Sequence, residues 1–377
     1  MLSWIEVDTN ALAENLRSFR RIVSDARLAP VVKANAYGHG LIPAARAFAE
    51  AGADWLCVNA GFEAVTLRRA DIKLPIYILG YVAPCEMGEL AGLGGLRLVA
   101  YQEETVIAAA AAGRAAGQPL HLHLKLETGN NRQGVDIADA IALADLIKQH
   151  DGIALEGISS HYADIEDTTD HSYAEAQMQA FRTAHAALTE AGHRPAIRSF
   201  SNSAATLLWP ETHFELVRMG ISAYGMWPSK ETLISAQRLG RDKPTLRPAL
   251  TWKTLVAQVK EIPANSSVGY GRTWQAGRPT RLAVLPVGYY DGYDRGLSNV
   301  AHVLVNGHRA PVRGRICMNM TMVDVTDIPA VGTGTEAVLL GRQANESITA
   351  EQIAAWSGTI NYEVTTRINE VLPRRLL

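Results

Sequence analysis

Residues 55–80, WLCVNAGFEAVTLRRADIKLPIYILG, decide the fold because they contain two short strands separated by one helix. WLCVN (55–59) and PIYILG (75–80) are short apolar runs typical of buried strands, whereas GFEAVTLRRA (61–70) has the composition of a helix. Strands that alternate with helices of this length pair in parallel, so the stretch predicts a β–α–β unit.

The same alternation recurs over the first two-thirds of the chain. The other predicted strands are WIEVD (4–8), APVVK (29–33), LRLVA (96–100), HLHLKLET (121–128), ALEGISSHYA (154–163) and IRSFSNSA (197–204), with ELVRMGISAYG (215–225) after them. About eight units in roughly 230 residues fit a closed (β/α)₈ barrel better than an open sheet. The predicted fold class is therefore α/β, with an N-terminal (β/α)₈ TIM-type barrel over residues 8–235.

The alternation of strands and helices stops near residues 229–251. Arg and Pro residues are frequent in the stretch that follows, which predicts a segment crossing between domains, LISAQRLGRDKPTLRPAL (233–250). Short alternating runs separated by turn residues follow it, and only AEQIAAWSG (350–358) looks helical. The sequence thus predicts a second, mainly β domain over residues 236–377, joined by the N-terminal strand 1–7.

Composition narrows the class of protein. The 377 residues carry a formal net charge of -2, which gives no general attraction to nucleic acid or to an anionic membrane. No apolar run is long enough to span a bilayer, and the first residues do not resemble a secretory signal. Cys57, Cys85 and Cys317 are scattered and form no CxxC, which argues against a structural zinc or other metal site. We expect a cytoplasmic protein.

Polar residues gather where the predicted strands end, which in a barrel of this class is the position of the active site. They are Lys33 and Tyr37; Lys125, Thr128, Asn130 and Arg132; His161 and Tyr162; Asn202 and Ser203; and Arg218 and Gly220. Lys33 by itself fits a solvated lysine at the edge of the core better than a desolvated amine that acts as a nucleophile, because lysines at strand ends are common. Together, these side chains predict a site for an anionic ligand.

A phosphate group would explain several of these residues. SNSAATLL (201–208) places Ser203 at the start of a predicted helix, where backbone amides favour phosphate, and the glycine of RMGIS (218–222) permits close approach of the backbone. With Lys33 nearby, pyridoxal 5'-phosphate (PLP) is the ligand that best explains the set. An ordinary helix cap at Asn202 and Ser203 is the simpler alternative.

A set of motifs spans nearly the whole chain: VVKANAYGHG (31–40), KLETGNNRQG (125–134), SSHYA (159–163), SNSAA (201–205), VRMGISAYG (217–225), VGYGRT (268–273), VGYYDG (287–292), GRICMNM (314–320) and INYEV (360–364). Together, and in this order, they closely resemble the fold-type III alanine racemases. The resemblance implies PLP-dependent racemisation of L-alanine to D-alanine, which supplies peptidoglycan synthesis.

The resemblance also implies roles for individual residues. Lys33 would hold PLP covalently and act as one catalytic base, and Tyr270 would be the other base. The remaining cofactor-binding residues would be Tyr37, Arg132, His161, Asn202, Ser203, Arg218, Gly220, Ile221 and Tyr362. Arg132 and the main chain at Met318 would bind the substrate carboxylate, and Tyr289, Arg295 and Arg315 would line the access route.

The family resemblance further implies a homodimer with shared active sites, in which Tyr270 of one protomer faces Lys33 of its partner. Three other readings remain. A racemase of serine, lysine or a broader set of amino acids is the nearest one. A non-catalytic PLP carrier would lack the VGYGRT tyrosine. A basic amino acid decarboxylase would place its catalytic cysteine in a different context from GRICMNM.

Two departures from the family pattern bear on fine substrate preference, and a third position bears on a modification. Asn319 stands where many relatives have Asp, and Asn130-Asn131 replaces a more usual Met followed by a small residue. Lys125, seven residues before Arg132, matches a lysine that some relatives carbamylate to hold that arginine.

Overall fold

The computed structural model describes residues 2–23, 25–241 and 244–377. The chain forms two compact units. The barrel unit comprises Ala11–Ala34 and Ala44–Arg247, and the β unit comprises Asn35–Pro43 and Pro248–Leu377 together with the N-terminal residues through Asn10. The domain bounds 8–235 and 236–377 stay a prediction; the units differ from them chiefly in assigning Asn35–Pro43 to the β unit.

Eight parallel strands form the barrel unit, as the sequence predicts. Six of them pair in the order Leu56–Val58, Ile76–Ile78, Leu96–Ala100, Leu120–Lys125, Ile153–Ser159 and Ile197–Ser199. Arg27–Pro30 pairs in parallel with Leu216–Met219. A parallel bridge between Val31 and Cys57 joins the two groups on one side, and the Arg218 N–H donates to the Ser201 carbonyl at 3.1 Å on the other. The ring of strands is therefore closed, and the predicted fold class is confirmed.

Helices alternate with these strands. They are Thr9–Val23, Leu41–Glu50, Gly61–Arg69, Met87–Leu93, Glu103–Ala116, Ile137–Gln149, Ser172–Glu190, Ser203–Leu208 and Lys230–Arg238, and a short turn of helix covers Lys33–Tyr37. The strands carry the aliphatic core: Leu56, Ile76, Leu98, Leu122 and Ile158 are buried completely or almost completely. No helix in the described part of the chain has both the length and the apolar composition needed to cross a bilayer.

The β unit is built on a seven-stranded sheet. Its main path runs His308–Pro311, His302–Val305, Glu336–Gln343, Leu250–Leu255, Ser3–Val7 and Arg374–Leu376, and Glu346–Ile348 pairs with Glu336–Gln343. Gln258–Ile262, Thr280–Leu285 and Thr321–Asp324 form a three-stranded sheet, and Ser267–Val268 pairs with Trp274–Gln275. The helices of this unit are Ala350–Ser357 and Asn361–Thr366.

Three details of the sequence prediction were wrong. The count of eight strand–helix units began with WIEVD, but that strand belongs to the β sheet, and the eighth barrel strand is Leu216–Met219. The predicted crossing segment contains the helix Lys230–Arg238, which the Ser229 side chain caps by accepting a hydrogen bond from the Thr232 N–H; residues 242–243 of that segment lie outside the described residues. AEQIAAWSG is not the only helical segment of its domain, since Asn361–Thr366 is also a helix.

Candidate active site

The chain leaves the first barrel strand in an unusual conformation. The Val32 N–H donates to the Cys57 carbonyl at 2.8 Å, and a helical turn then begins at Lys33. Ala34, Asn35, Ala36 and Tyr37 all have φ values of 52° or 53°, which is the left-handed region. Each such residue costs roughly 1–2 kcal/mol for an L-amino acid. Lys33 therefore stands at the junction between a regular strand and a strained turn.

Lys33 lies within a group of cations in the barrel unit. Burial lowers the pKa of the Lys33 amine, and the positive charges of Arg132 and Arg218 lower it further, against the opposing effects of Glu63 and Cys57. A lowered pKa leaves a larger fraction of the amine neutral near pH 7, and the neutral amine is the nucleophilic form. The structure thus favours the reading of Lys33 as a reactive amine over that of a solvated lysine.

Arg218 is the most deeply placed of these cations. Its side chain is on the strand Leu216–Met219, and the residue is 5% exposed. The guanidinium donates to the Ser160 carbonyl at 2.7 Å and to the Ser199 carbonyl at 2.8 Å, with a further contact to the Ser199 hydroxyl. Burial lowers the pKa of Arg218. With a further bond to the Phe200 carbonyl at 3.4 Å, the guanidinium is held by four contacts with neutral oxygens, and no carboxylate of the described chain pairs with it.

Lys125 and His161 are the other titratable side chains that interact with Lys33. Burial lowers the pKa of Lys125 well below its ordinary value, and Arg218 and Arg132 add to that effect. Burial likewise lowers the pKa of His161 well below its ordinary value. The positive charges of Lys125 and Arg218 lower that pKa further. His161 is therefore a neutral imidazole near pH 7. Arg132 itself lies exposed in the loop after Leu120–Lys125 and contributes charge to all of these groups.

The predicted phosphate-binding residues meet through one hydroxyl. Ser203 begins the helix Ser203–Leu208, and its Oγ accepts hydrogen bonds from the Gly220 N–H at 2.9 Å and the Ser222 N–H at 3.4 Å. This links the helix start to the turn Ile221–Tyr224. Because no described residue accepts the Ser203 hydroxyl hydrogen, this hydrogen can be donated to a ligand.

Asn202 acts as the N-cap of that helix. An ordinary helix cap is the simpler alternative to a phosphate site for residues 201–203. Its side-chain oxygen accepts from the Ala205 N–H at 2.9 Å, and its amide nitrogen donates to Glu166 at 2.7 Å. Both polar ends of Asn202 are thus engaged within the protein. Its role as a cofactor-binding residue stays a prediction.

Tyr37 and Tyr362 lie together in the β unit. Their ring centroids are 6.1 Å apart at an interplanar angle of 51°. Gly38, directly after Tyr37, has no room for a side chain, because a Cβ there would lie 2.0 Å from the Thr365 carbonyl oxygen. The Gly38 carbonyl accepts two bonds from Arg374, at 3.1 and 3.0 Å. Close packing therefore fixes the segment that carries Tyr37 against the helix that carries Tyr362.

Tyr270 is 72% exposed on a short turn of the β unit. Gly269 and Gly271 on either side have φ values of 72° and 69°. A Cβ at Gly271 would lie 2.9 Å from the Arg315 guanidinium, so Arg315 packs directly against this turn. The phenol is thus held on a well-defined turn while its ring projects into solvent.

Other predicted site residues of the β unit are also exposed. Met318 is 54% and Tyr289 is 43% exposed, and the Tyr289 N–H donates to the Cys317 carbonyl at 3.1 Å. Tyr289 and Arg295 line a cavity of 380 Å³ together with Gly292, Asp294 and Arg367. The predicted access residues Tyr289 and Arg295 therefore share one concave surface.

Two functional candidates were missed in the sequence. Glu63 is 4% exposed and accepts a bond from the Ala34 N–H at 2.7 Å. Tyr224 is fully buried, and its hydroxyl donates to the Val31 carbonyl at 2.7 Å. A glutamate at the third position of a predicted helix is a recognisable helix-start signal, which could have drawn attention to Glu63. Nothing in the local pattern around Tyr224 indicates its distant partner.

The arrangement in the barrel unit suits an anionic ligand with a reactive carbonyl. Lys33, Lys125, Arg132 and Arg218 bring positive charge together, and none of them forms an ion pair within the described residues. Low-polarity surroundings strengthen the attraction of such a group for an anion. The amine of Lys33 is the nucleophile of the set.

Comparison with known proteins identifies relatives over the full length. Residues 7–228 match the family model for the alanine racemase N-terminal domain, and residues 249–376 match that for the alanine racemase C-terminal domain. An alanine racemase of Symbiobacterium thermophilum is 42% identical over 372 residues, which is 99% of this chain and 96% of that protein. One of Leptospira interrogans is 40% identical over 374 residues, covering 99% and 95%.

Solved structures give the same result. Alanine racemase from a D-cycloserine-producing Streptomyces lavendulae has a TM-score of 0.90 at 35% identity and covers 100% of this chain and 97% of its own. Alanine racemase from Bacillus anthracis with bound L-Ala-P has a TM-score of 0.91 at 34% identity, covering 100% and 95%.

Proposed function

Because this chain belongs to the alanine racemase family, we propose that it interconverts L- and D-alanine with PLP as its cofactor. Family membership makes it an isomerase. The observation that carries the cofactor proposal is the group of cations around Lys33, in which a buried guanidinium and two amines of lowered pKa form no ion pair with any carboxylate of the described residues.

The residues present fit PLP. Its phosphate is an anion, and Ser203 can donate to it beside the Gly220 and Ile221 backbone. Its aldehyde requires a neutral amine, which the lowered pKa of Lys33 favours. A buried Arg218 at the pyridine nitrogen would keep that nitrogen largely unprotonated, because two adjacent positive charges repel. His161 and Arg132 would flank the ring, and the family motifs add Tyr37 and Tyr362 to the phosphate ligands.

Racemisation requires a proton to leave one face of the α-carbon and another to arrive on the opposite face. PLP, when bound, supplies the electron sink that makes the α-hydrogen of an amino acid removable. We assign the proton on one face to the Lys33 Nζ and the proton on the other to the Tyr270 hydroxyl. Arg132 and the main chain at Met318 would orient the substrate carboxylate. D-Alanine formed in this way would supply peptidoglycan synthesis.

Tyr270 is assigned to the active site of a partner protomer. Its exposure in the single chain supports this assignment, since a catalytic phenol is expected to be shielded from bulk water in the working enzyme. We therefore propose a homodimer with two shared sites.

Lys125 is proposed to carry a carbamate. Its amine has a strongly lowered pKa and cationic neighbours, so neutral amine can add to carbon dioxide with loss of one proton, and the resulting anion would face Arg132. ¹³C NMR in ¹³C-bicarbonate should give a carbamate signal that Lys125→Arg abolishes and Lys148→Arg leaves in place. A signal that survives Lys125→Arg would assign the modification elsewhere.

The function is tested with purified protein and PLP in heavy water. L-Alanine should acquire deuterium at the α-carbon and give D-alanine, with much slower turnover of L-serine and L-lysine. A visible absorbance band that borohydride abolishes should map to Lys33 by peptide mass. Absence of α-deuterium in alanine would overturn the proposal, and a preference for lysine would replace the substrate.

A further inference from the structure

We propose that Glu63 is the positioning residue of Lys33: its carboxylate ties the backbone that follows the lysine to the end of the neighbouring strand. The inference deepens the proposed function, on which it rests for the role of Lys33.

The contacts of Glu63 divide between two segments. One carboxylate oxygen accepts the Ala34 N–H at 2.7 Å. The other accepts the Asn59 N–H at 2.7 Å and the Ala60 N–H at 3.0 Å. Asn59 and Ala60 directly follow the strand Leu56–Val58 and precede the helix Gly61–Arg69, of which Glu63 is the third residue. One side chain thus joins the ends of two adjacent barrel strands.

The hydrogen bonds of Glu63 connect the two strands beyond the last backbone hydrogen bond between them. The Val32 N–H still bonds to the Cys57 carbonyl, but Ala34 has already entered the left-handed region with a φ of 52°. Its N–H is directed to Glu63 in place of a backbone carbonyl. Because the left-handed turn is intrinsically unfavourable, a bond to a charged acceptor at its first residue stabilises the conformation that follows Lys33.

A carboxylate also matters here through its charge. The groups that act on Lys33 are Arg132 and Arg218, which lower its pKa, and Glu63 and Cys57, which raise it. Lys125 and His161 belong to the same group, since the charge of Lys33 acts on both. Glu63 is a carboxylate whose negative charge raises the pKa of Lys33. It opposes the cations without forming an ion pair with the amine.

Two substitutions separate position from charge. Glu63→Gln keeps the size but removes the charge and replaces one acceptor with a donor, so one of the three N–H groups loses its partner. Glu63→Asp keeps the charge, but its side chain is one methylene shorter. The aspartate can therefore still accept the N–H groups of Asn59 and Ala60 at the helix start while it loses the bond from the Ala34 N–H. Glu86→Gln is the matched control, because Glu86 likewise accepts a backbone N–H at a helix start, that of Ala83 at 3.0 Å, but within the described residues it has no hydrogen bond to the segment after Lys33.

The experiment measures Lys33 in the full-length protein stripped of cofactor. Competitive labelling with acetic anhydride over a pH series gives the labelling midpoint of Lys33 by peptide mass spectrometry, with exposed Lys260 as internal reference. Glu63→Gln should move the Lys33 midpoint down by about one pH unit. Glu63→Asp should leave the midpoint near that of the unsubstituted protein, yet lower kcat with PLP on the order of ten-fold with little change in KM.

The outcomes distinguish this inference from the proposed function. If the unsubstituted protein racemises alanine but both Glu63 variants keep its midpoint and its kcat, the positioning role is overturned. It is equally overturned if both variants lose only thermal stability, with an unchanged midpoint and kcat. If the unsubstituted protein fails to racemise alanine, the proposed function fails, while the labelling midpoints still report whether Glu63 acts on Lys33.

Discussion

Arg218 illustrates how a single residue can carry a charge within the barrel. Hydrogen bonds to the Ser160 and Ser199 carbonyls, at 2.7 and 2.8 Å, and a contact with the Ser199 hydroxyl replace the carboxylate that a buried guanidinium usually requires. Carbonyl and hydroxyl oxygens solvate the cation without neutralising it. The positive charge therefore remains available to the ligand and to neighbouring amines.

Gly38 tests the packing of the segment that carries Tyr37. Gly38 and Gly52 have similar φ values, 87° and 93°, but a Cβ at Gly52 would meet nothing within 4 Å. Gly52→Ala should therefore cost about 1 kcal/mol for the backbone alone. Gly38→Ala should lower the free energy of unfolding by about 3 kcal/mol or more, because the backbone of Thr365 must also move.

Urea unfolding of both glycine variants measures this difference. Equal losses of stability for Gly38→Ala and Gly52→Ala would show that the close approach to Thr365 is not significant.

Some residues of the candidate site could be predicted from the sequence, whereas others could not. Lys33, Arg218 and Ser203 were identified from their positions at strand ends, because topology alone brings strand ends together. Glu63 was missed because an acid in the first turn of a helix usually faces solvent, and only the tertiary structure brings Ala34 to it. Their roles toward PLP stay predictions.

At the scale of elements, the strands Leu96–Ala100, Leu120–Lys125 and Ile153–Ser159 share an ionic cluster. Glu156 accepts two bonds from Arg97, each at 3.0 Å, and one from His123 at 2.9 Å. Burial alone would raise the pKa of Glu156, but these bonds hold the pKa at about 2. The cluster thus links three neighbouring strands through one carboxylate.

Glu156→Gln should destabilise the protein in a pH-dependent way. Because the folded pKa of about 2 lies below the ordinary 4.5, the ionised carboxylate stabilises the fold above pH 4.5, and this contribution is lost as the pH falls toward 2. We expect a loss of about 2–3 kcal/mol at pH 7 that shrinks steadily below pH 4.5.

Urea midpoints at several pH values follow this effect, with exposed Glu261→Gln as control. A difference between Glu156→Gln and the unsubstituted protein that stays constant from pH 7 to pH 3 would contradict the assignment.

Elements were predicted well where periodicity was regular and poorly where it was not. The helix Lys230–Arg238 was missed because Arg and Pro residues after it suggested a linker, although Ser229 offered a cap. The left-handed turn after Lys33 could not be foreseen, since four successive non-glycine residues with positive φ contradict local preference and depend on tertiary contacts.

At the scale of the whole molecule, the closed barrel and the β unit were both predicted from the sequence. The regular alternation of strands with helices and the number of strands predicted the barrel. Short alternating runs separated by turn residues predicted the β unit. The sheet partners of Ser3–Val7 lie roughly 250 and 370 residues away along the chain, and no local pattern specifies pairings at that separation.

Mixed dimers test the proposed sharing of active sites. Lys33→Ala and Tyr270→Ala should each be nearly inactive alone. Random mixing of equal amounts should restore about a quarter of the sites, because half of the dimers are mixed and each of these has one intact site.

The same mixing with two Lys33→Ala preparations serves as control. No recovery in dimers shown to be mixed would refute shared sites and require both bases to come from one protomer.

The position of Ser3–Val7 has a consequence for biosynthesis. This strand lies between Leu250–Leu255, with which it is antiparallel, and Arg374–Leu376, with which it is parallel. During synthesis Ser3–Val7 must therefore wait for Arg374–Leu376 before this part of the sheet is complete, while the intervening barrel sequence emerges in full. Nascent chains arrested before residue 374 should accordingly expose an unpaired strand edge to chaperones.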